Sequence, residues 1–443
     1  MKKNAAAAAS TLSNDIGPIH IQPTQQETDR LRSLAERWMD IANSPIMDER
    51  KRLWKALHDL KMERPMILVE WLGFFRPFVL PELVCIDPYL KNVEMYMLQE
   101  IKHYTMIQDD IVFEPYFRLP WRVLKSHGGV QIHETTTAEG ALIYHHPIQK
   151  VEELSQLKPR DFYVDRERTL CVKNALERIY GNILPVRVGN FDNCVSSTPD
   201  LGFNPLTGNF SPTLVGDLFR LVGNETMMYW TYDEPDAIRN TMRFILDDKL
   251  RFLQWLKQEK LLDCNTDNQA AAPSGYGYVS DLPAVGTQET VDVSDCWAWC
   301  ESQESIVFSP EMFQEFFLPY IAEYANHFGL VTYGCCEPLE DRIESIKKAV
   351  PKLRTVSVTG WNKSYEALAD SLGRDYVFCR KPAPSYMSGK YMNWDKARED
   401  IEKTWACTKD KNVGFIFRDL VDICNDITRI TDWVQMVQKI VGM

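Results

Sequence analysis

"GLVTYGCCEPLEDRIESIKKAVPKLRTVSVTGW", residues 329–361, sets two short apolar runs on either side of a charged stretch. The flanking runs, GLVTYGC (329–335) and LRTVSVTGW (353–361), are rich in β-branched and aromatic residues and bounded by Gly and Pro, which is the chemistry of strands. Residues 340–349 between them read as a helix. Strand, helix and strand in about 30 residues is the unit that builds parallel sheets, because parallel neighbours need a crossover between them.

The same rhythm extends in both directions. Further β-rich runs are MILVEW (66–71), DIVFEPYF (110–117), ILPVRVGNF (183–191), CWAWCES (296–302), DYVFCRKP (375–382) and NVGFIFRD (412–419). Helical stretches are predicted over 310–327, 364–372, 395–409 and 427–441. Eight alternating units predict a (β/α)8 TIM barrel rather than an open sheet. Before it, residues 26–61 read as N-terminal helices, with Leu31, Leu34 and Trp38 and then Leu53, Leu57 and Leu60 at helical spacing.

Residues 1–25 read as a tail. The opening MKKNAAAAAS imitates a signal peptide, but alanine is too weakly apolar for its core. The barrel is placed at 62–443, with inserts at about 118–182 and 192–294. The first holds HGGVQIHETTT and EGALIYHHP, a small hairpin excursion. The second holds a long helical stretch, then a Gly- and Ser-containing loop that is either a lid or binding segment or else disordered.

The chain of 443 residues carries a formal net charge of -12. That charge argues against nucleic acid or an anionic membrane as the main partner. Eleven cysteines without a framework spacing imply reduced thiols and a cytoplasmic location.

In a barrel the site lies at the C-terminal ends of the strands. That rule selects Glu70 beside Trp71 on the first run, Glu114 and Asn190 on the second and third, Glu301 with Gln303 and Glu304 after the fourth, and Cys335 with Tyr333 after the fifth. It adds Trp361, then Cys379, Arg380 and Lys381, and finally Asp419. Any of these is equally explained as a surface or capping polar group. Glu301 and Glu304 either cap a helix start or serve as acid and base. Arg380 and Lys381 either sit solvated on the rim or receive a carboxylate or phosphate. Strand alternation turns Cys336 away from the face that Tyr333 and Cys335 share, or places it in the turn set by Pro338.

The stretch FSPEMFQEFFLPYIAEYANHFG (308–329) resembles the "SP-E-x-F-x-E-F-x-LPY" helix of the uroporphyrinogen decarboxylase superfamily. ESQES, YGCCEPL and FCRKPAP are similar to the decarboxylase-like subgroup associated with corrinoid-dependent methyl transfer. The likeness is specific over residues 295–420 and architectural from 62 to 294. It implies a (β/α)8 barrel, a methyl group moved from a methoxyaromatic or methylamine to a corrinoid on a partner protein, and a homodimer.

The subgroup holds zinc with a His-x-Cys pair and a later Cys. Here that pair falls on Tyr333-Gly334-Cys335, which leaves Cys335, Glu301 and Cys379 or Asp419 as a variant zinc set. The arginine-rich segment that receives a porphyrinogen is missing beside MILVEWLGFFRPF, which argues against decarboxylation of that substrate. Two other readings stand beside methyl transfer: a metal-independent decarboxylase or lyase of a small organic acid, and a barrel that binds a small molecule without catalysis.

Overall fold

A computed structural model describes residues 19–70, 74–136, 142–191, 210–269, 275–420 and 422–443. In chain order the strands are β1 (Met66–Val69), β2 (Phe117–Trp121), β3 (Val123–Lys125), β4 (His133–Thr136), β5 (Leu142–His145) and β6 (Phe162–Val164). There follow β7 (Val186–Phe191), β8 (Trp297–Cys300), β9 (Leu330–Tyr333), β10 (Leu353–Thr359), β11 (Val377–Lys381) and β12 (Asn412–Phe417). Six of them form one parallel sheet in the order β1-β12-β11-β10-β9-β8. A second parallel pair is β2–β7, and β3–β6 and β4–β5 are short antiparallel pairs. Among the described residues no ladder closes these sheets into one.

Both edges of the large sheet are satisfied by side chains where a ladder would otherwise continue. On β1 the carboxylate of Asp110 accepts from Ile67 N at 2.8 Å, and that of Asp109 from Val69 N at 2.7 Å. On β8 the amide of Asn265 spans both backbone groups of Trp297, donating to its O at 3.0 Å and accepting from its N at 2.8 Å. Phe210 adds an isolated parallel bridge to Ala298.

The strand predicted over 110–117 is corrected: residues 110–116 form none, and β2 starts at Phe117. The reason lies in where the carbonyls go. Asp110 O accepts from Trp54 Nε1 at 2.9 Å, Ile111 O from Arg50 at 2.8 Å, Val112 O from Asn268 at 3.0 Å, and Glu114 O from Trp38 Nε1 at 2.8 Å. Three of those four donors belong to the N-terminal helices α1 (Gln25–Ala42) and α2 (Pro45–His58). Thr24 starts α1 with a capping box to Glu27, and Pro45 opens α2 at a position where its missing N–H costs nothing. Their apolar faces bury Leu31, Trp38, Trp54 and Leu57 in one cluster with Met66, Leu68 and Ile416 of the sheet.

The helix predicted over 310–327 is two, Pro310–Phe316 and Leu318–Ala325. Pro319 has no N–H to give Glu315 O, and its ring crowds that carbonyl. Ser309 caps the first piece, accepting from Met312 N at 3.2 Å. In the region 192–294, two long helices pack on each other: α3 is taken as Leu214–Asp233, broken at Gly223, and α4 as Pro235–Gln258. Among the described residues no helix is long and apolar enough to cross a membrane.

Asp110 also takes both ends of Arg64's guanidinium, at 2.8 and 2.9 Å. Asp110→Ala strips that partner and exposes the N–H of Ile67 to an apolar surround, so it is expected to cost about 2–3 kcal/mol. Glu63→Ala, at an exposed ion pair with Arg52, should cost under about 1 kcal/mol. Chemical denaturation of both variants checks the contrast. Equal losses contradict the edge role of Asp110.

Candidate functional site

Because the six strands run parallel, their C-terminal ends share one side of the sheet, and the chemistry gathers there in two groups. The first follows β8. Glu301 is buried, and its Oε2 accepts from Gln303 N at 3.0 Å. Glu304 is half-buried: its Oε1 lies 3.3 Å from Gln303 Nε2, and its Oε2 has no hydrogen-bond partner. Helix α3 walls this group. A Cβ on Gly216 would stand 3.3 Å from Glu304 Oε1, so glycine there keeps the approach open. Arg220, one turn on, faces the same carboxylates, with Asp217 3.1 Å from its guanidinium.

Glu337 joins the two groups. It is buried, and its Oε1 accepts from Ser302 N and its Oε2 from Cys335 N, each at 2.9 Å. One carboxylate thereby ties the end of β8 to the end of β9. Burial above all, then the charges of Glu304 and Glu337, hold the Glu301 carboxyl well above the ordinary glutamate range. Burial raises Glu304 as well. Two acids held above the ordinary glutamate range are groups suited to proton delivery.

The second group spans β9, β11, β12 and β1. After Gly334 (φ 106°) the chain bends, and the sulfurs of Cys335 and Cys336 come within 3.7 Å. Lys381 is buried, donating to Cys335 O at 3.1 Å and lying 3.3 Å from Asp419. Arg418 is buried beside it, 3.2 Å from Glu70, and its Nη1 has no hydrogen-bond partner. Asp419 sits in the left-handed region (φ 62°), a strained conformation of the kind that collects at functional sites. A hydrogen bond from Cys335 and the charge of Lys381 lower the Cys336 thiol to about 7, against burial. The Cys335 thiol is raised by its hydrogen bond to Cys336 and by burial.

The structure therefore brings Glu301, Gln303 and Glu304 together, and Glu70, Cys335, Lys381 and Asp419 together. Other expected residues fall elsewhere. Arg380 is fully buried in the helix layer: it donates to Val358 O at 3.0 Å, Tyr365 Oη at 2.6 Å and Thr404 Oγ1 at 3.2 Å, and pairs with Asp400. No donor is left over for a substrate anion. Cys379 is buried with Val377 and Ile416 in the apolar cluster beneath Lys381. Tyr333 is buried in the other core cluster with Phe313, Phe317 and Leu339, within reach of the charges of Glu337 and Glu301, and Trp361 is 73% exposed on the surface. Trp71 lies outside the described residues.

The expected zinc set is not assembled. Among the described residues no three His, Cys, Asp or Glu side chains are grouped as metal ligands. Glu301 faces Gln303 N, Asp419 faces Lys381, and Cys379 points into apolar packing. Of the two placements expected for Cys336 the turn is the one observed: β9 ends at Tyr333, and Cys336 lies in the bend beyond it, beside Cys335. Four residues went unassigned from sequence. Glu337 and Arg418 stood in the quoted motifs, whereas Gly216 and Arg220 come from the insert and carry no local signal.

The unfolded chain takes glutamate's ordinary value near 4.5, whereas folded Glu301 keeps its proton to higher pH. Between those values the folded state binds more protons, so the Glu301 contribution to stability is lost as pH rises. Glu301→Gln is free of that loss. Its Tm relative to wild type should rise from about pH 5 to about pH 8. A constant or falling difference means that Glu301 is ionised in the fold.

No family model matches this chain, and no curated protein matches it. Among solved structures, a methyltransferase from Methanosarcina mazei is similar at 12% sequence identity and a TM-score of 0.48, over 88% of this chain and 98% of that one.

Proposed function

We propose that this chain is a methyltransferase on a (β/α)8 barrel of the uroporphyrinogen decarboxylase-like type. It would take a methyl group from the oxygen or nitrogen of a small methylated compound and pass it to a corrinoid carried by a partner protein. The barrel reading is supported by the six-stranded sheet, by the parallel pair β2–β7, and by the contacts of Asp110 with Ile67 and of Phe210 with Ala298 that flank the gaps. The resemblance of residues 295–420 supports the chemistry.

The observation that carries the reading is the pair Glu301 and Glu304, raised by burial at the strand ends. Losing a methyl group leaves an alkoxide, phenoxide or amine, and a carboxylic acid within reach protonates it as the bond breaks. Lys381 and Arg418 supply buried positive charge for an anionic group elsewhere on the substrate. The corrinoid supplies the nucleophile that accepts the methyl carbon. Zinc does not fit the donors present, so no step is drawn through it.

A second reading rests on Arg418 alone. A buried guanidinium nitrogen without a partner, beside Lys381, suits a substrate carboxylate. A carboxy-lyase would hold the acid there and deliver a proton from Glu301 to the carbanion left behind.

The test is incubation of the purified protein with reduced corrinoid and a panel of methoxybenzoates, methoxyphenols and methylamines, reading methylcorrinoid by absorbance. One donor class should react, and Glu301→Gln should lower kcat by about 10²–10⁴-fold with a small change in KM. An unchanged kcat in that variant, or no methyl transfer alongside CO2 release from a small acid, overturns the proposal. The CO2 outcome selects the lyase.

A further inference from the structure

The neighbouring thiols invite a ligand that their geometry defines independently of the proposed reaction. Their sulfurs are 3.7 Å apart, in contact and unbonded. A direct disulfide is disfavoured, because consecutive Cα atoms stand about 3.8 Å apart across a trans peptide while unstrained disulfides need roughly 4.4 Å or more. One atom inserted between the sulfurs enlarges the ring and removes that conflict. The bend keeps both sulfurs on one side: Glu337 holds Cys335 N, and Lys381 holds Cys335 O at 3.1 Å. Cys336 is exposed, so a ligand reaches the pair from solvent.

We propose that Cys335 and Cys336 form a chelating site for a trivalent arsenical, an arsenic atom with one organic substituent and two exchangeable oxygen ligands. Two observations select this class over a metal ion. Structural zinc takes four ligands, and among the described residues no group of three candidate donors exists here. A monosubstituted trivalent arsenic needs two thiolates and no more. The reaction is a condensation without redox change. Two As–S bonds form and two As–OH bonds break, and each hydroxide leaves as water with one of the two thiol protons. Lys381, 3.1 Å from Cys335 O, places a positive charge beside the sulfur that attacks first.

The experiment uses the full chain and phenylarsine oxide, followed by intact mass and by counting free thiols. The expected result is a one-to-one adduct that consumes two thiols, survives excess glutathione and is released by dimercaptopropanol. Cys336→Ser should weaken binding by ~100-fold or more, since closing a second bond within one ligand is worth that factor. Cys424→Ser, at another exposed thiol, should leave binding unchanged. Circular dichroism shows that each variant is folded. An adduct that persists in Cys336→Ser, or a wild-type adduct that glutathione removes, overturns the proposal. Neither result bears on methyl transfer, which is read from the corrinoid.

Discussion

A single buried carboxylate, Glu337, sets the geometry on which both halves of the site depend. Its two oxygens each take one backbone N–H, from Ser302 after β8 and from Cys335 after β9. A buried N–H left without an acceptor costs about 1–3 kcal/mol, so both chain exits are pinned to the same point. Pinning the first holds Glu301 to Glu304 beneath α3. Pinning the second fixes the bend that sets two thiols side by side. Glu337 also stands close enough to Glu301 to help keep that carboxyl from ionising. Glu337 thus acts on both position and protonation, although burial does most to keep Glu301 protonated.

The rest of the fold supplies rigidity around that point. The N-terminal helices are structural parts of the body, because Trp38, Arg50 and Trp54 occupy the carbonyls of residues 110–114. The insert helix α3 likewise belongs to the site, since Gly216 and Arg220 face Glu304. Segments that looked like additions to a repeating core therefore provide its wall and its edge.

The rhythm around residues 329–361 was legible because strands and helices leave different periods in the sequence. The rule that places chemistry at the C-terminal ends of parallel strands selected Glu70, Glu301, Cys335, Lys381 and Asp419, which lie at those ends. It could not choose between neighbours. On β11, Cys379 and Lys381 share one face and Phe378 and Arg380 the other, so naming both Arg380 and Lys381 ignored the pleat. For Cys336 the turn before Pro338 was the better guide than alternation, because β9 ends three residues earlier, at Tyr333. Residues 110–116 looked like a strand on composition. Three of their four carbonyl partners come from helices 56 to 76 positions earlier and the fourth, Asn268, from 156 positions later, and no local pattern records such partners. Glu337 was visible as an acid before a proline, but its role exists only once β8 and β9 are adjacent.

The central claim is that Glu301 stays a neutral carboxylic acid at the strand ends. Infrared difference spectroscopy between wild type and Glu301→Gln at neutral pH measures that directly. The account predicts a protonated-carboxyl C=O band in wild type that shifts in deuterium oxide and is missing from the variant. A difference spectrum showing only carboxylate bands would contradict it.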